Sequence, residues 1–173
     1  HGHCETARVL QLADYVSPIP DKHLAEADWL VLAVPVQSTE SVLEQCRPFL
    51  NVGTLITDTG SVKAPLLEVM RSKENRHFSF VGGHPIAGGE HFGPEAAQAS
   101  LFYGKRFVIT PEEGTESVHL KAVHRLWSAL GCEVIEMDAR LHDRIFASVS
   151  HLPHLLAYAS IKTIADSDSP EAV

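Results

Sequence analysis

TLITDTGSVKAPLLEVM, residues 54–70, carries the pattern on which the fold is read. Its first four residues are apolar or β-branched with little polar alternation, which suits a strand covered on both faces. Its second half has the spacing of a helix, and DTGSVK (58–63) joins the two, with Gly60 relaxing the turn and Ser61 at the expected helix N-cap.

The same alternation recurs on both sides. DWLVLAVPV (28–36), FSFVGG (78–83), RFVIT (106–110) and EVIEM (133–137) are further strand candidates. STESVLEQCRPFL (38–50), VKAPLLEVMRSKEN (62–75) and TESVHLKAVHRLWSALG (115–131) have helical spacing, the last closing on Gly131 as a C′ residue. Strand and helix repeated in this way predict an α/β fold, a doubly wound and mainly parallel sheet with helices on both sides. From Asp138 the pattern changes to one long apolar helix, DARLHDRIFASVSHLPHLLAYASIKTIAD (138–166), with a kink expected at Pro153, which lacks an N–H. A helix of that length closing an α/β unit leads into a second domain.

The totals exclude some classes. The 173 residues carry a net charge of −8 with the acids spread along the chain, so neither nucleic acid nor an anionic membrane is an expected partner. The three cysteines are far apart and none sits in a CxxC pair, which indicates a reducing compartment. No apolar run reaches membrane-span length and HGHCETARV resembles no signal peptide, so a soluble, cytoplasmic chain is expected. Eleven histidines raise the question of a metal.

Ligands of parallel sheets gather at the carboxyl ends of the strands. AVPVQST (33–39), DTGSVK and GGHPIAGGE (82–90) all fall there. DTGSVK fits plain helix capping, or free amides that hold an anionic or amide group. In GGHPIAGGE the glycines imply close backbone approach or positive φ, and Pro85 fixes the direction of exit. His84 there fits a structural histidine or, with Glu90 following, a general base of tunable pKa. On the long helix Asp143, Ala147, Ser150 and His154 stand at i, i+4, i+7 and i+11 and share a face, while Ile145, Phe146, Val149, Leu152, Leu155 and Leu156 supply packing. A polar stripe on an apolar helix costs desolvation unless it is paired or lines a wet cavity. His151 and His154 form HxxH, to which His84 or His142 could add a ligand, but Pro153 lies between them and no second close pair converges; no metal is expected.

With AVPVQST, DTGSVK, GGHPIAGGE and HDRIFASVSHLPH (142–154) in order, the chain resembles the prephenate dehydrogenase family, most specifically in HPIAG (84–88) followed by SHLPH (150–154). The resemblance implies a Rossmann-like dinucleotide-binding domain, incomplete here, over 1–137, and over 138–173 a connecting helix that opens an all-helical dimerisation domain. It implies oxidative decarboxylation of prephenate to 4-hydroxyphenylpyruvate in tyrosine biosynthesis, with hydride passing from C4 to NAD or NADP. By the same resemblance His84 bonds the C4 hydroxyl and Ser61 orients both the histidine and the nicotinamide end. Ser150, His154 and Glu90 face substrate, Asp143 partners that helix face, and Ala33, Val34, Pro35, Thr59 and Gly60 pass beside the cofactor.

Departures from the family pattern shape further expectations. No GxGxxG is present, and the carboxyl-terminal helical domain with its arginine for the ring carboxylate is absent, so the chain reads as a middle fragment, inactive alone, of an enzyme that is a homodimer when whole. Where NAD-using relatives carry an acid for the ribose, His1, Gly2 and His3 stand instead, which leans towards NADP. Gly89 replaces a small hydroxyl residue, with no consequence that can be assigned. His154 favours prephenate over arogenate, a cyclohexadienyl substrate that remains the alternative. Two other readings stay open. A β-hydroxyacid dehydrogenase would need a lysine on the long helix, where Lys162 lies far past the expected position; the other is a non-catalytic metal- or ligand-binding module built on the histidines.

Overall fold

The computed structural model describes residues 2–72, 77–88 and 93–166. Five strands form one sheet in the order β1-β2-β3-β4-β5: β1 (Trp29–Leu32), β2 (Leu55–Asp58), β3 (Ser79–Pro85), β4 (Arg106–Thr110) and β5 (Glu133–Glu136). All neighbours are parallel except β3 and β4, which pair antiparallel from Gly82↔Thr110 to Pro85↔Phe107. The connection after Pro85 returns to the sheet at the end where β3 finishes, with no crossover helix among its described residues, and that reverses β4. The fold is the Rossmann-like, mainly parallel α/β sheet expected from the alternation.

Leu55 and Ile56 of β2 show why its run begins with consecutive apolar residues. Leu55 joins Val81, Phe107, Ile109, Val123, Trp127 and Cys132 on one face, and Ile56 joins Leu32, Leu43, Leu66 and Met70 on the other. Side chains alternate across a strand, so a sheet covered on both sides needs hydrocarbon at every position. α4 (Ser117–Ala129) covers the first face, with Trp127 stacked on Phe107 at 3.9 Å between ring centroids. α2 (Thr39–Cys46) and α3 (Ala64–Met70) cover the second. Each fully buried large side chain contributes about 1.5–3 kcal/mol.

Helix ends follow local chemistry, with one correction. α4 stops as expected on Gly131, at φ +86°, whose N–H donates to Ser128 O while Cys132 N donates to Trp127 O. α3, however, starts at Ala64 rather than after Ser61, with Pro65 in its first turn. Ser61 is not its N-cap; the first amides are satisfied by a carboxylate from another element. A helix also forms where no element was expected, α1 (Gly2–Val9), whose Thr6 hydroxyl donates to Glu95 at 3.2 Å.

The long helix exists but is not regular. α5 (Ala139–Phe146), capped by Asp138 through Leu141 N, runs into a wide π-type segment (Ala147–His151) and then α6 (Leu152–Ala165). Pro153 has no N–H to give and its ring excludes the carbonyl four residues back, so the turn before it widens. α6 buries none of its residues: Leu155, Leu156, Tyr158 and Ile161 are all exposed. No described helix is long and apolar enough to cross a membrane.

Candidate functional site

The site begins with Asp58, the last residue of β2, only 2% exposed. Its carboxylate accepts from Gly60 N at 2.9 Å and Gly83 N at 3.0 Å and is paired with the ammonium of Lys63, itself buried. Lys63 Nζ also donates to Gly83 O at 2.7 Å. One buried ion pair therefore ties the DTGSVK turn to the end of β3, with its remaining valences filled by backbone, the condition under which such a pair is tolerated. Burial pushes the pKa of Lys63 down, opposed by Asp58 and Asp143.

This close approach explains the glycine pair. A Cβ on Gly83 would stand 2.3 Å from Phe107 Cζ and 2.8 Å from Asp58 O, and one on Gly82 2.5 Å from Thr110 Oγ1. Neither glycine has positive φ. The glycines before His84 are there for space.

His84 follows at the carboxyl rim, half-buried, with its ring edge-on to Phe146 at 4.9 Å. Its Nδ1 lies 2.8 Å from Nε2 of His142, which is wholly buried, and His142 Nδ1 lies 2.8 Å from Asp143 Oδ1. Asp143 closes the array by accepting from Lys63 N at 2.8 Å and Ala64 N at 2.9 Å, the amides that start α3. Burial, with the neighbouring His142, Lys63 and His151, pulls His84 down to about 4; Asp143 opposes. Burial also lowers His142, against Asp143. Asp143 lies below the usual carboxylate range: burial raises it, but the Ala64 amide, His142 and the Lys63 amide outweigh that. Both imidazoles are thus neutral at pH 7.

The sequence-predicted residues fall into two groups. Thr59 N donates to Leu32 O at 3.2 Å, bringing Thr59, Gly60 and Ser61 beside Ala33, Val34 and Pro35 at the end of β1. A cavity of about 250 Å³ adjoins them, lined among others by Val36, Glu40, Asp58, Gly60 and Leu66. A larger hollow of about 450 Å³, lined by Gly53, His77 and Glu112 among others, lies at the opposite end of the sheet and touches none of the His84 array. The 250 Å³ cavity is the relevant one, because it sits where the strand ends and the turn converge.

The second group departs from expectation. Asp143 faces α3 and His142 instead of standing in an open polar stripe with Ser150 and His154. The stripe assumed 3.6 residues per turn, and the π-type segment breaks that spacing. Ser150 is half-buried and His154 exposed, and neither hydrogen-bonds His84. Ser61 is half-buried and makes no side-chain hydrogen bond among the described residues, so the group that holds His84 is His142 rather than Ser61. Glu90, Gly89 and His1 lie outside the described residues, and Gly2 and His3 belong to a helix. Among the described residues no three or more His, Cys, Asp or Glu side chains are grouped to hold a metal.

Asp58, Lys63 and His142 were missed as site residues. The signal for the first two was present: a charged residue ending a fully apolar strand must find a partner, and the nearest cation is five residues on. For His142 the sequence offers only its adjacency to Asp143.

The family described as "Prephenate dehydrogenase, nucleotide-binding domain" matches residues 1–136, and "Prephenate dehydrogenase, dimerization domain" matches 138–173. The chain belongs to the prephenate dehydrogenase family. Among family members, cyclohexadienyl dehydrogenase of Zymomonas mobilis is 34% identical over 161 residues, covering 93% of this chain and 55% of that protein. Prephenate dehydrogenase of Lactococcus lactis is 39% identical over 142 residues, 79% of this chain and 37% of that protein. The crystal structure of Aquifex aeolicus prephenate dehydrogenase in complex with hydroxyphenyl propionate and NAD+ superposes with a TM-score of 0.85 at 33% identity, covering 97% of this chain and 58% of that one. The chain thus spans 55% and 37% of the length of these two relatives from Zymomonas mobilis and Lactococcus lactis.

Proposed function

We propose that the protein containing this chain oxidises prephenate with loss of carbon dioxide, forming 4-hydroxyphenylpyruvate and passing hydride to NAD(P)+. The observation that carries the reading is His84: a neutral imidazole fixed at the carboxyl rim of the sheet, on a chain that matches the family along both of its domains. The unit over 1–137 serves the cofactor, and 138–173 begins the part that completes the pocket and the homodimer. The exposed apolar side chains of α6 suit that association.

The residues present fit a dinucleotide. At Gly60 a Cβ would meet Asp58 Oδ2 at 2.9 Å and Val36 Cγ2 at 3.4 Å, so glycine lets the turn pack closely against both beside the 250 Å³ cavity at the strand ends. Gly60 lines this cavity, and Ala33, Val34, Pro35 and Thr59 would pass beside the cofactor; bound NAD(P)+ would supply the hydride acceptor. His84 accepts a hydrogen bond from the C4 hydroxyl and holds its proton as that carbon becomes a carbonyl. It returns the proton to the same oxygen when decarboxylation delivers the electron pair of the broken C–C bond to the ring. By the family resemblance Ser150, His154 and Glu90 face the substrate and Ser61 the nicotinamide end.

A broader substrate range, arogenate as well as prephenate, is favoured by the Zymomonas mobilis relative, named a cyclohexadienyl dehydrogenase. The test is formation of reduced cofactor by the intact protein given prephenate or arogenate with NAD+ or NADP+. Turnover of prephenate is expected, with His84→Asn lowering kcat about 100-fold or more while cofactor affinity stays within a few fold. Wild-type turnover in that variant, or no turnover of either substrate, overturns the reading.

A further inference from the structure

Asp143 receives three donors. The amides of Lys63 and Ala64 can only donate, at 2.8 and 2.9 Å, and His142 Nδ1 approaches the same carboxylate at 2.8 Å. A carboxylate holding two amides is an acceptor on every side, so the His142 nitrogen that faces it carries hydrogen. His142 is wholly buried and shares its surroundings with the Lys63 ammonium, so it does not take a second proton; its Nε2 is a bare lone pair. That lone pair faces His84 Nδ1 at 2.8 Å, and two bare nitrogens at this distance repel, so His84 Nδ1 is the one that carries hydrogen. The reverse polarity would require a buried imidazolium at His142.

We propose that His142, anchored by Asp143, is the positioning residue of this site: it holds His84 in the tautomer with hydrogen on Nδ1 and a bare Nε2, the only form able to accept the hydroxyl proton of the substrate. The inference rests on the function proposed above for His84, and adds a residue that the sequence motifs did not single out. The array also joins chemistry to scaffold. Asp143 satisfies the start of α3, Lys63 in that turn pins Gly83, and Gly83 precedes His84, so both the direction and the protonation of the ring are set by one connected set of bonds. The charged or titratable groups acting on His84 are His142, Asp143, Lys63 and His151. The logic is that of a carboxylate–imidazole pair that selects a tautomer, with the difference that the oriented partner here is a second imidazole.

The experiment labels histidine with ¹⁵N in the intact protein and reads the two ring nitrogens of His84 by two-bond ¹H–¹⁵N correlation at pH 7. Protonated Nδ1 and bare Nε2 are expected in the wild type. His142→Phe, which fills the same buried space, should give His84 a mixture of tautomers and lower kcat on the order of 10- to 100-fold, with KM within a few fold. His142→Gln offers a carbonyl to His84 and an amide to Asp143, and should restore the wild-type tautomer and most of kcat. A wild-type His84 protonated on Nε2 overturns the proposal, as does His142→Phe with tautomer and kcat unchanged. Should His142→Phe fail to fold, the wild-type tautomer alone decides. A wild type that shows the expected tautomer yet does not turn over prephenate sinks the substrate reading and leaves the positioning role standing.

Discussion

Replacing Lys63 with methionine removes one charge from a pair that is almost entirely out of solvent: the side chains of Lys63 and Asp58 are 1% and 3% exposed. Methionine fills most of the volume, so little of the loss is packing. What remains is a buried Asp58 carboxylate supported by two amides, Gly60 and Gly83, with no countercharge. Removing one partner of a buried pair costs about 3–5 kcal/mol, against about 5–15 kcal/mol for the stability of a whole domain. For a chain of this size 1 kcal/mol corresponds to about 2–4 °C, so Tm should fall by roughly 6–20 °C. Chemical and thermal denaturation of wild type, Lys63→Met, Asp58→Asn and the double variant form a cycle. The double variant should recover a large part of the loss, because no unpaired charge is left buried, with a coupling energy of about 2–3 kcal/mol. A second reading comes from the ring nearby: without the Lys63 charge, the pKa of His84 should rise. Lys63→Met within about 1 kcal/mol of wild type, with an additive double variant, would refute the claim that this pair holds the site together.

Four further outcomes follow from the same geometry. The acid limb of kcat/KM should lie near pH 4 to 5 rather than at 6.5, because His84 is pulled down to about 4; an acid limb at 6.5 contradicts the buried array. Stability should also drop as pH falls from about 6.5 to 4, because in that window the unfolded chain binds a proton that folded His84 refuses, a loss of at most about 3 kcal/mol, and denaturation of His84→Asn should show a smaller drop. Gly83→Ala should cost about 1–3 kcal/mol by denaturation and lower kcat, since its Cβ meets the Phe107 ring and the Asp58 carbonyl; a neutral substitution would mean that β3 is free to move. Leu155→Glu should leave the stability of the sheet domain unchanged, because α6 buries nothing here, while sedimentation shows loss of the dimer; a dimer that persists would place the association elsewhere.

Much of the architecture was legible before any coordinates. The strand runs at 28–36, 54–58, 106–110 and 133–137 each contain an observed strand and the run at 78–83 overlaps β3, which continues to Pro85, because burial on both faces leaves an apolar signature that depends on no distant residue. Gly131 is similar: a left-handed residue ending a helix is a local requirement. The position of His84 at the rim followed from its place after a strand.

Tertiary structure alone decided what holds that histidine. Ser61 was expected to cap α3, but its first amides are taken by Asp143, a residue far along the chain whose own role was expected to be on the open face of a helix. Asp58 and Lys63 reach Gly83, and His142 reaches His84, across segments remote in sequence, and periodicity carries no information about which distant donor meets which acceptor. The π-type segment before Pro153 rotated Ser150 and His154 out of the stripe for a related reason: a helix interrupted by one missing N–H adjusts its pitch, and a fixed spacing cannot register that adjustment. Local chain chemistry thus determined the elements and their ends, while the polarity of the hydrogen bonds between them, and with it the protonation state of the reactive ring, exists only once the sheet has brought β2, β3 and α5 together.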